Sequence, residues 1–417
     1  MTCLMEGSKR FMCCCGEFFT FSAGMLSDPT NSIKEMSCCV TGKNADGFGY
    51  TSTASEIAAG LGKRLDGKLA IVTGASAGIG KCSAKAFYET GATVVMACRN
   101  EAKARAAMQW IEETAVAPKG KGKLVFVPID LASLDSTKKF ADAITKMSEP
   151  LAVLMCNAGI MATPFSLTGD GYESQFQCNY LSHYYLTMLL VDKLKASPDG
   201  ARVVAISSIS AAWVPFPGGC CGGCCSVVCG FGAADFSGKR WPAQSGSCFA
   251  YDPMADYAYS KAAQIIFGAE LDRRIFEGTK VIALATEPGM NTTSEMQKYG
   301  RGSGCLEFVM AYTPVPYVLR AMCMHKELPV MASSGVYAAL SDNVQRGDYY
   351  RNTLKDKAVG PAGDPRHGPP LWDFSAKCVQ DRVSVKVPHA DTPAVQVMER
   401  TGVKAMVYVT PHPSPPA

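Results

Sequence analysis

Three groups of residues in this chain could do chemistry. Thr73-Gly74-Ala75-Ser76-Ala77-Gly78-Ile79-Gly80 follows directly on an apolar run. In such a turn Gly74 permits a tight bend and Gly78 lets the backbone approach a pyrophosphate. Gly80 allows the next helix to lie against the strand, so that the N–H groups around Ile79 face the phosphates. Between a strand and a helix, the pattern reads as a dinucleotide cradle rather than a plain tight turn. Tyr257 and Lys261 stand four positions apart, hence on one face of one helix. A cationic Lys261 can there lower the phenol from its ordinary value of about 10, as a tyrosine requires to exchange protons near neutral pH. Such pairs are common by chance, and taken in isolation this one reads as a surface contact. The third group is Asn157-Ala158-Gly159, where a small residue lets a cofactor pass close to the backbone. Downstream come Asn179 and Ser207-Ser208.

The type of nucleotide can be read beside the cradle. NAD-binding turns place an acid about 20 residues beyond the glycines to hold the ribose 2′-hydroxyl. Here the corresponding residues are Met96-Ala97-Cys98-Arg99-Asn100, with no acid. Arg99 suits a 2′-phosphate by charge and fork geometry, and Ser76 can add a hydrogen bond, so NADP(H) is favoured over NAD. Asp130-Leu131 either accepts from an adenine amino group or caps the next turn.

These groups need strand ends to hold them. Leu69–Val72, Thr93–Ala97, Leu124–Pro128, Ala152–Met155, Arg202–Ile206 and Lys280–Thr286 read as strands. Lys81–Thr90, Glu101–Glu113, Ser136–Met147, Glu173–Leu194 and Tyr257–Phe276 carry apolar residues at helical spacing. The alternation specifies an α/β fold: a single doubly wound parallel sheet of Rossmann type, flanked by helices, with ligands bound beyond the carboxyl ends of the strands. Residues 1–63 read as a poorly ordered extension, 64–378 as the dinucleotide-binding domain and 379–417 as a tail with a weak strand pattern at Ala405–Val409. A long Cys/Gly-rich insertion, 213–250, interrupts the domain and is too rich in Pro and Gly to span a membrane as a helix. Residues 294–335, apolar in character, are expected to line the substrate pocket.

With 417 residues, 47% hydrophobic and 19% charged, the chain has material for a large core and is not globally disordered. Its +4 charge is spread without basic runs, which argues against nucleic acid. The 19 cysteines, an odd number, fit a reducing compartment, cytoplasmic or organellar, a plastid included. The stretch Phe11–Leu26 is a poor signal peptide and too short for a transmembrane helix. Cys221-Gly-Gly-Cys224 has metal-knuckle spacing but no well-spaced partner knuckle with His, so no metal is expected. Lipid attachment or peripheral membrane contact through the cysteine-rich segments stays open. So does a homodimer.

The order of glycine turn, Asn-Ala-Gly, Asn, Ser-Ser and Tyr-x-x-x-Lys resembles the short-chain dehydrogenase/reductase family over roughly Leu65 to Cys378. The resemblance implies a tetrad of Asn179, Ser208, Tyr257 and Lys261, and selects Ser208 over Ser207. It also implies that Pro288-Gly289 and Thr293 contact nicotinamide, although Glu287 stands ahead of them where many relatives have an aromatic residue or His. Asn157-Ala-Gly-Ile-Met and Asn179-Tyr-Leu-Ser-His183 are similar to segments of retinol dehydrogenases, a WW-domain oxidoreductase and light-dependent protochlorophyllide reductases. His183 itself reads as a packed helix residue. The implied function is hydride transfer between NADP(H) and a small lipophilic carbonyl or alcohol, retinoid-, steroid- or lipid-like. Two alternatives stand beside it: double-bond reduction of the protochlorophyllide type, and a cofactor-binding interaction protein with little turnover. Ser208 and Tyr257 lie 49 positions apart, more than in most of the family, so the Cys/Gly loop falls inside the catalytic constellation.

Overall fold

The computed structural model describes residues 42–63, 65–116, 122–213, 236, 251, 253–289, 326–358 and 360–380, with strand residues 394–395 and 407–408. Helix α1 (Ala54–Leu61) precedes β1 (Leu69–Thr73), α2 (Gly78–Glu89), β2 (Thr93–Cys98), α3 (Glu101–Thr114), β3 (Lys123–Pro128), α4 (Leu134–Thr145) and β4 (Leu151–Cys156). A short turn Ser174–Phe176 and a π-helical stretch Gln177–Leu181 lead into α5 (Ser182–Lys195). Then come β5 (Arg202–Ile206), α6 (Pro253–Leu271), β6 (Ile282–Glu287), α7 (Leu328–Leu340), β7 (Tyr349–Arg351), β8 (Leu354–Asp356) and α8 (Gly368–Val379).

The strands form one sheet in the order β3-β2-β1-β4-β5-β6-β7-β8. All neighbours are parallel except β8, which turns back antiparallel on β7 with Tyr350 opposite Lys355. Strands buried on both faces read as continuous apolar runs, and every residue of β1, β2 and β4 is buried. Side chains alternate between two cores. Leu69 and Ile71 join Phe140, Tyr184, Phe267 and Trp372 on one face; Ala70 and Val72 join Ile57, Phe87, Ile111 and Val336 on the other. Burying each large apolar side chain contributes about 1.5–3 kcal/mol. The chain runs outward from β1 to β3 and then from β4 the other way, so the topological switch opens between the carboxyl ends of β1 and β4.

Several sequence expectations need correction. The stretch expected to be poorly ordered contains α1, closed by a capping box in which Glu56 N–H donates to Thr53 Oγ1 and Thr53 N–H to Glu56 Oε2. Of the region 294–335, expected to line a substrate pocket, only residues 326–335 are described, and those that open α7 pack into the core: a Cβ at Gly335 would come within 3.0 Å of Ile206 Cδ1 and 3.1 Å of Met155 Cε. Strands β7 and β8 extend the six-strand sheet and add its one antiparallel pair. In the tail, Val407–Tyr408 pairs antiparallel with Ala394–Val395. The cysteines before residue 42, Thr293 and residues 294–325 lie outside the described residues. So does the insertion 213–250, apart from the backbone of Trp213 and from Phe236, whose ring packs 5.4 Å from that of Tyr259. Among the described residues, Cys82, Cys98, Cys156, Cys178 and Cys378 are free thiols and no helix is long and apolar enough to cross a membrane.

Candidate active site

The glycine turn leaves β1 at the topological switch. Gly74 (φ 68°) and Gly78 (φ 55°) both occupy the left-handed region that favours glycine. A Cβ at Gly80 would lie 2.5 Å from both Asn157 Nδ2 and Gly74 O, so only glycine lets α2 sit this close to the β1 and β4 turns. Gly78 differs, because a Cβ there would meet nothing within 4 Å. Ala77, at the N-cap of α2, offers no side-chain cap, which leaves the first-turn N–H groups to serve an anion. Open space at Gly78 beside uncapped amides fits a dinucleotide pyrophosphate.

Around this turn, Ile79 is half-buried and Ser76 hydrogen-bonds the buried Cys98 thiol. Arg99 is exposed at the end of β2. Asp130 Oδ1 accepts from Ala132 N–H at 3.0 Å, so its carboxylate caps a turn, and the carbonyl of Leu131 accepts from Ser182 Oγ at 2.6 Å.

The Asn157-Ala158 turn is tied to β1 through Thr73. Thr73 Oγ1 accepts both the Asn157 and Ala158 N–H groups at 2.9 Å, and Asn157 Nδ2 donates to Thr73 O at 2.8 Å. On the far side, Thr73 Oγ1 meets His183 Nε2 at 2.9 Å. His183 Nδ1 lies 2.9 Å from Asn179 O and 3.1 Å from Gln264 Nε2. Burial holds this imidazole neutral, its pKa pushed down to about 4. Gln264 Nε2 donates to the same Asn179 carbonyl.

Asn179 sits in the π-helical stretch, an irregularity common at functional sites. Its Oδ1 accepts from Ile160 N–H at 2.8 Å, and its Nδ2 donates to Ile160 O and to Ser260 Oγ, each at 2.9 Å. Its side chain therefore fixes the turn after Gly159. A Cβ at Gly159 would come within 3.2 Å of Asn179 Oδ1 and 3.3 Å of Lys261 Nζ, so a glycine admits both groups.

Tyr257 and Lys261 lie on α6 and are both buried, at 5% and 2% exposure. Lys261 Nζ donates to Ile206 O at 3.0 Å and lies 5.9 Å from the centre of the Tyr257 ring. Desolvation pulls the ammonium down to about 8. Burial also pushes the Tyr257 phenol up to about 12, against a smaller lowering from its hydrogen bond with Ser208. The expectation that Lys261 would lower the phenol is thus corrected: desolvation of both groups outweighs their attraction at this separation. The two serines divide their work. Ser207 Oγ donates to Lys261 O at 2.7 Å and is buried, whereas Ser208 is half-buried and turned to the phenol.

Pro288 is buried, and Gly289 (φ 90°) lies against Lys326, whose Cδ a Cβ would meet at 2.9 Å. Sequence reasoning gave no role to Thr73 or Gln264 and read His183 as packing alone. A buried hydrogen-bonding residue inside an apolar run was the available signal.

Residues 68–222 match the family model described as short chain dehydrogenase. The chain is 32% identical over 339 residues to a WW domain-containing oxidoreductase of Gallus gallus, covering 81% of this chain and 73% of that protein. It is 32% identical over 318 residues to retinol dehydrogenase 13 of Mus musculus, covering 76% of this chain and 84% of that protein. An uncharacterized protein from Mycobacterium Paratuberculosis has a similar fold, with TM-score 0.56, 26% identity, and 81% of this chain and 99% of that chain covered.

Proposed function

The chain belongs to the short-chain dehydrogenase/reductase family, and from that premise we propose that it is an NADP(H)-dependent oxidoreductase whose Tyr257 moves the proton between an alcohol and a carbonyl on a small lipophilic substrate. An oxidoreductase of this family binds a nicotinamide cofactor, and the open turn at Gly78 suits one. When bound, the cofactor gives or takes a hydride at its nicotinamide C4. The observation that carries the reading is the meeting of Tyr257, Ser208 and Lys261 at the carboxyl end of β5, beside the Gly159 turn that Asn179 holds.

A phenol raised to about 12 is neutral near pH 7 and therefore ready to give its proton to a carbonyl oxygen. Ser208, turned toward the phenol, holds the same oxygen. Lys261 contributes positive charge beside the phenolate that forms, and it reaches toward the nicotinamide ribose. Asn179 holds a water for the proton relay by fixing the turn and the helix around it. Arg99 and Ser76 supply the 2′-phosphate contacts, with Gly74, Gly78, Ile79 and Gly80 around the pyrophosphate and Asp130, Leu131, Asn157, Ala158 and Gly159 along the rest of the nucleotide. Pro288 and Gly289 would complete the nicotinamide end.

The lipophilic substrate class rests on the similarity to retinol dehydrogenase 13. It is supported by the apolar cluster of Met161, Ala162 and Met254 that packs with Tyr257. Oxidation of NADPH with a panel of long-chain aldehydes and retinoids tests the proposal: turnover on lipophilic carbonyls is expected. Tight NADPH binding with no turnover on the panel would support the interaction-protein reading instead.

A further inference from the structure

Strand β6 ends in Glu287, a carboxyl that the tetrad does not use. Its side chain is 1% exposed. Gly289 N–H donates to Oε1 at 3.1 Å, the Tyr349 hydroxyl donates to Oε2 at 3.3 Å, and Arg351 Nε stands 4.0 Å from Oε2. Lys326 adds a positive charge from the segment before α7, while Asp356 on β8 holds Arg351 at 2.5 Å. Burial nevertheless dominates and raises the Glu287 pKa above the ordinary carboxylate value. A buried carboxyl of this kind is costly unless it does something, since an apolar residue would fill the site at less cost.

Glu287 shares a cavity with Ser208. The space measures about 20 Å³ and is lined by the polar residues Ser208, Glu287, Tyr349, Arg351 and Asp356 and by four apolar residues. That volume is about the size of one water, and Ser208, Glu287 and Tyr349 are among the polar residues that could hydrogen-bond it. Ser208 at one end is hydrogen-bonded to the Tyr257 phenol, and at the other Arg351 and Asp356 are part-exposed. We propose that Glu287 exchanges protons with Tyr257 through Ser208 and one water in this cavity, giving the site a second path to solvent, along the β7–β8 edge, beside the water that Asn179 holds. The proposal rests on the reading of Tyr257 as proton donor.

In the reducing direction Tyr257 gives its proton to the substrate oxygen as the carbonyl carbon accepts hydride, leaving a phenolate. Ser208 gives its hydroxyl proton to the phenolate and takes one from the water, and the water takes one from the Glu287 carboxylic acid. The Glu287 carboxylate recovers its proton from solvent beside Arg351 and Asp356. Within the relay only O–H bonds form and break, and each turnover draws one proton from solvent. Oxidation runs the same steps in reverse. A raised pKa suits the role, because the carboxyl must be protonated to give.

The test is the pH profile of kcat for aldehyde reduction from about pH 5 to pH 9, with KM and NADPH affinity measured alongside. The wild type is expected to lose rate as pH rises through the Glu287 titration. Glu287→Gln keeps an acceptor for Gly289 N–H and should lower kcat roughly tenfold on the acidic side, remove that limb, and leave KM and NADPH affinity unchanged. Glu287→Asp should recover part of the rate. Tyr349→Phe removes a hydrogen bond to the charged carboxylate and should move the limb to higher pH, and it decides the matter if Glu287→Gln does not fold. A wild-type profile in Glu287→Gln, or an unmoved limb in Tyr349→Phe, overturns the relay. The reading of Tyr257 fails separately, if the wild type does not turn over or Tyr257→Phe is fully active.

Discussion

The proposed cofactor cradle and the proposed proton-transfer site lie at the same edge of one sheet and are built in opposite ways. The cradle is backbone: Gly78 faces open space, Ala77 leaves the α2 amides uncapped, and Arg99 is exposed. The proton site is made of buried side chains that hold one another, with Asn179 on Ile160 and Ser260, His183 between Asn179 and Thr73, and Lys261 on Ile206. A region that must accept and release a charged ligand keeps its donors free. A region that must set protonation states excludes water and fixes every neighbour, which is why its pKa values move.

The sharpest break between the two regions should come from Tyr257→Phe. It deletes the proposed proton donor and little contact area, so turnover should fall by about 10²- to 10⁴-fold, while NADPH affinity measured by fluorescence titration stays nearly intact. The same phenol gives the pH dependence its sign. Raised to about 12, it is protonated at neutral pH, so alcohol oxidation, which needs the phenolate, should accelerate as pH rises from 7 to 9, and initial rates in both directions check this. The reverse pattern appears in the cradle. Gly80→Ala must displace Asn157 or Gly74 and should cost about 1–3 kcal/mol in denaturant stability and weaken NADPH binding with it. Gly78→Ala meets open space and should cost only the φ penalty, about 1–2 kcal/mol. Equal losses at the two glycines would mean that backbone conformation, not close approach, shapes the turn.

Arg99 is a smaller and more specific handle. Binding of NADPH should be at least about tenfold tighter than that of NADH, about 1.4 kcal/mol, and Arg99→Asp should narrow or reverse the preference in the same titration. The smallest effect is expected at Tyr259, two residues from the phenol, where the ring packs on Phe236. Tyr259→Phe should change turnover by about twofold or less in the steady-state assay, and a larger loss would shift the assignment of the helix face.

The sheet was legible because parallel strands buried on both faces leave unbroken apolar runs, as in Leu151–Cys156. The short β7 and β8 escaped because three residues each, polar and apolar mixed, carry no periodicity. Helix α1 escaped in a Ser/Thr-rich stretch, although Thr53 and Glu56 spell a capping box that could have revealed it. In the site, the fold brings Asn179, Ser208, Tyr257 and Lys261 near the Gly159 turn, but spacing alone misjudged the electrostatics. The i, i+4 relation of Tyr257 and Lys261 says nothing of burial, and burial decides the sign of both shifts. Thr73, His183 and Gln264 join elements more than 80 positions apart in sequence, a relation that local pattern does not encode.

The central claim is that the open cradle and the buried phenol serve one hydride transfer. NADPH carrying deuterium at the transferred nicotinamide C4 position, incubated with a long-chain aldehyde, tests it most directly. The account predicts deuterium on the carbinol carbon of the alcohol product with the wild type, and almost none with Tyr257→Phe despite intact NADPH binding. Bound NADPH that passes no label to any carbonyl of the panel, or equal labelling by the two proteins, would contradict it.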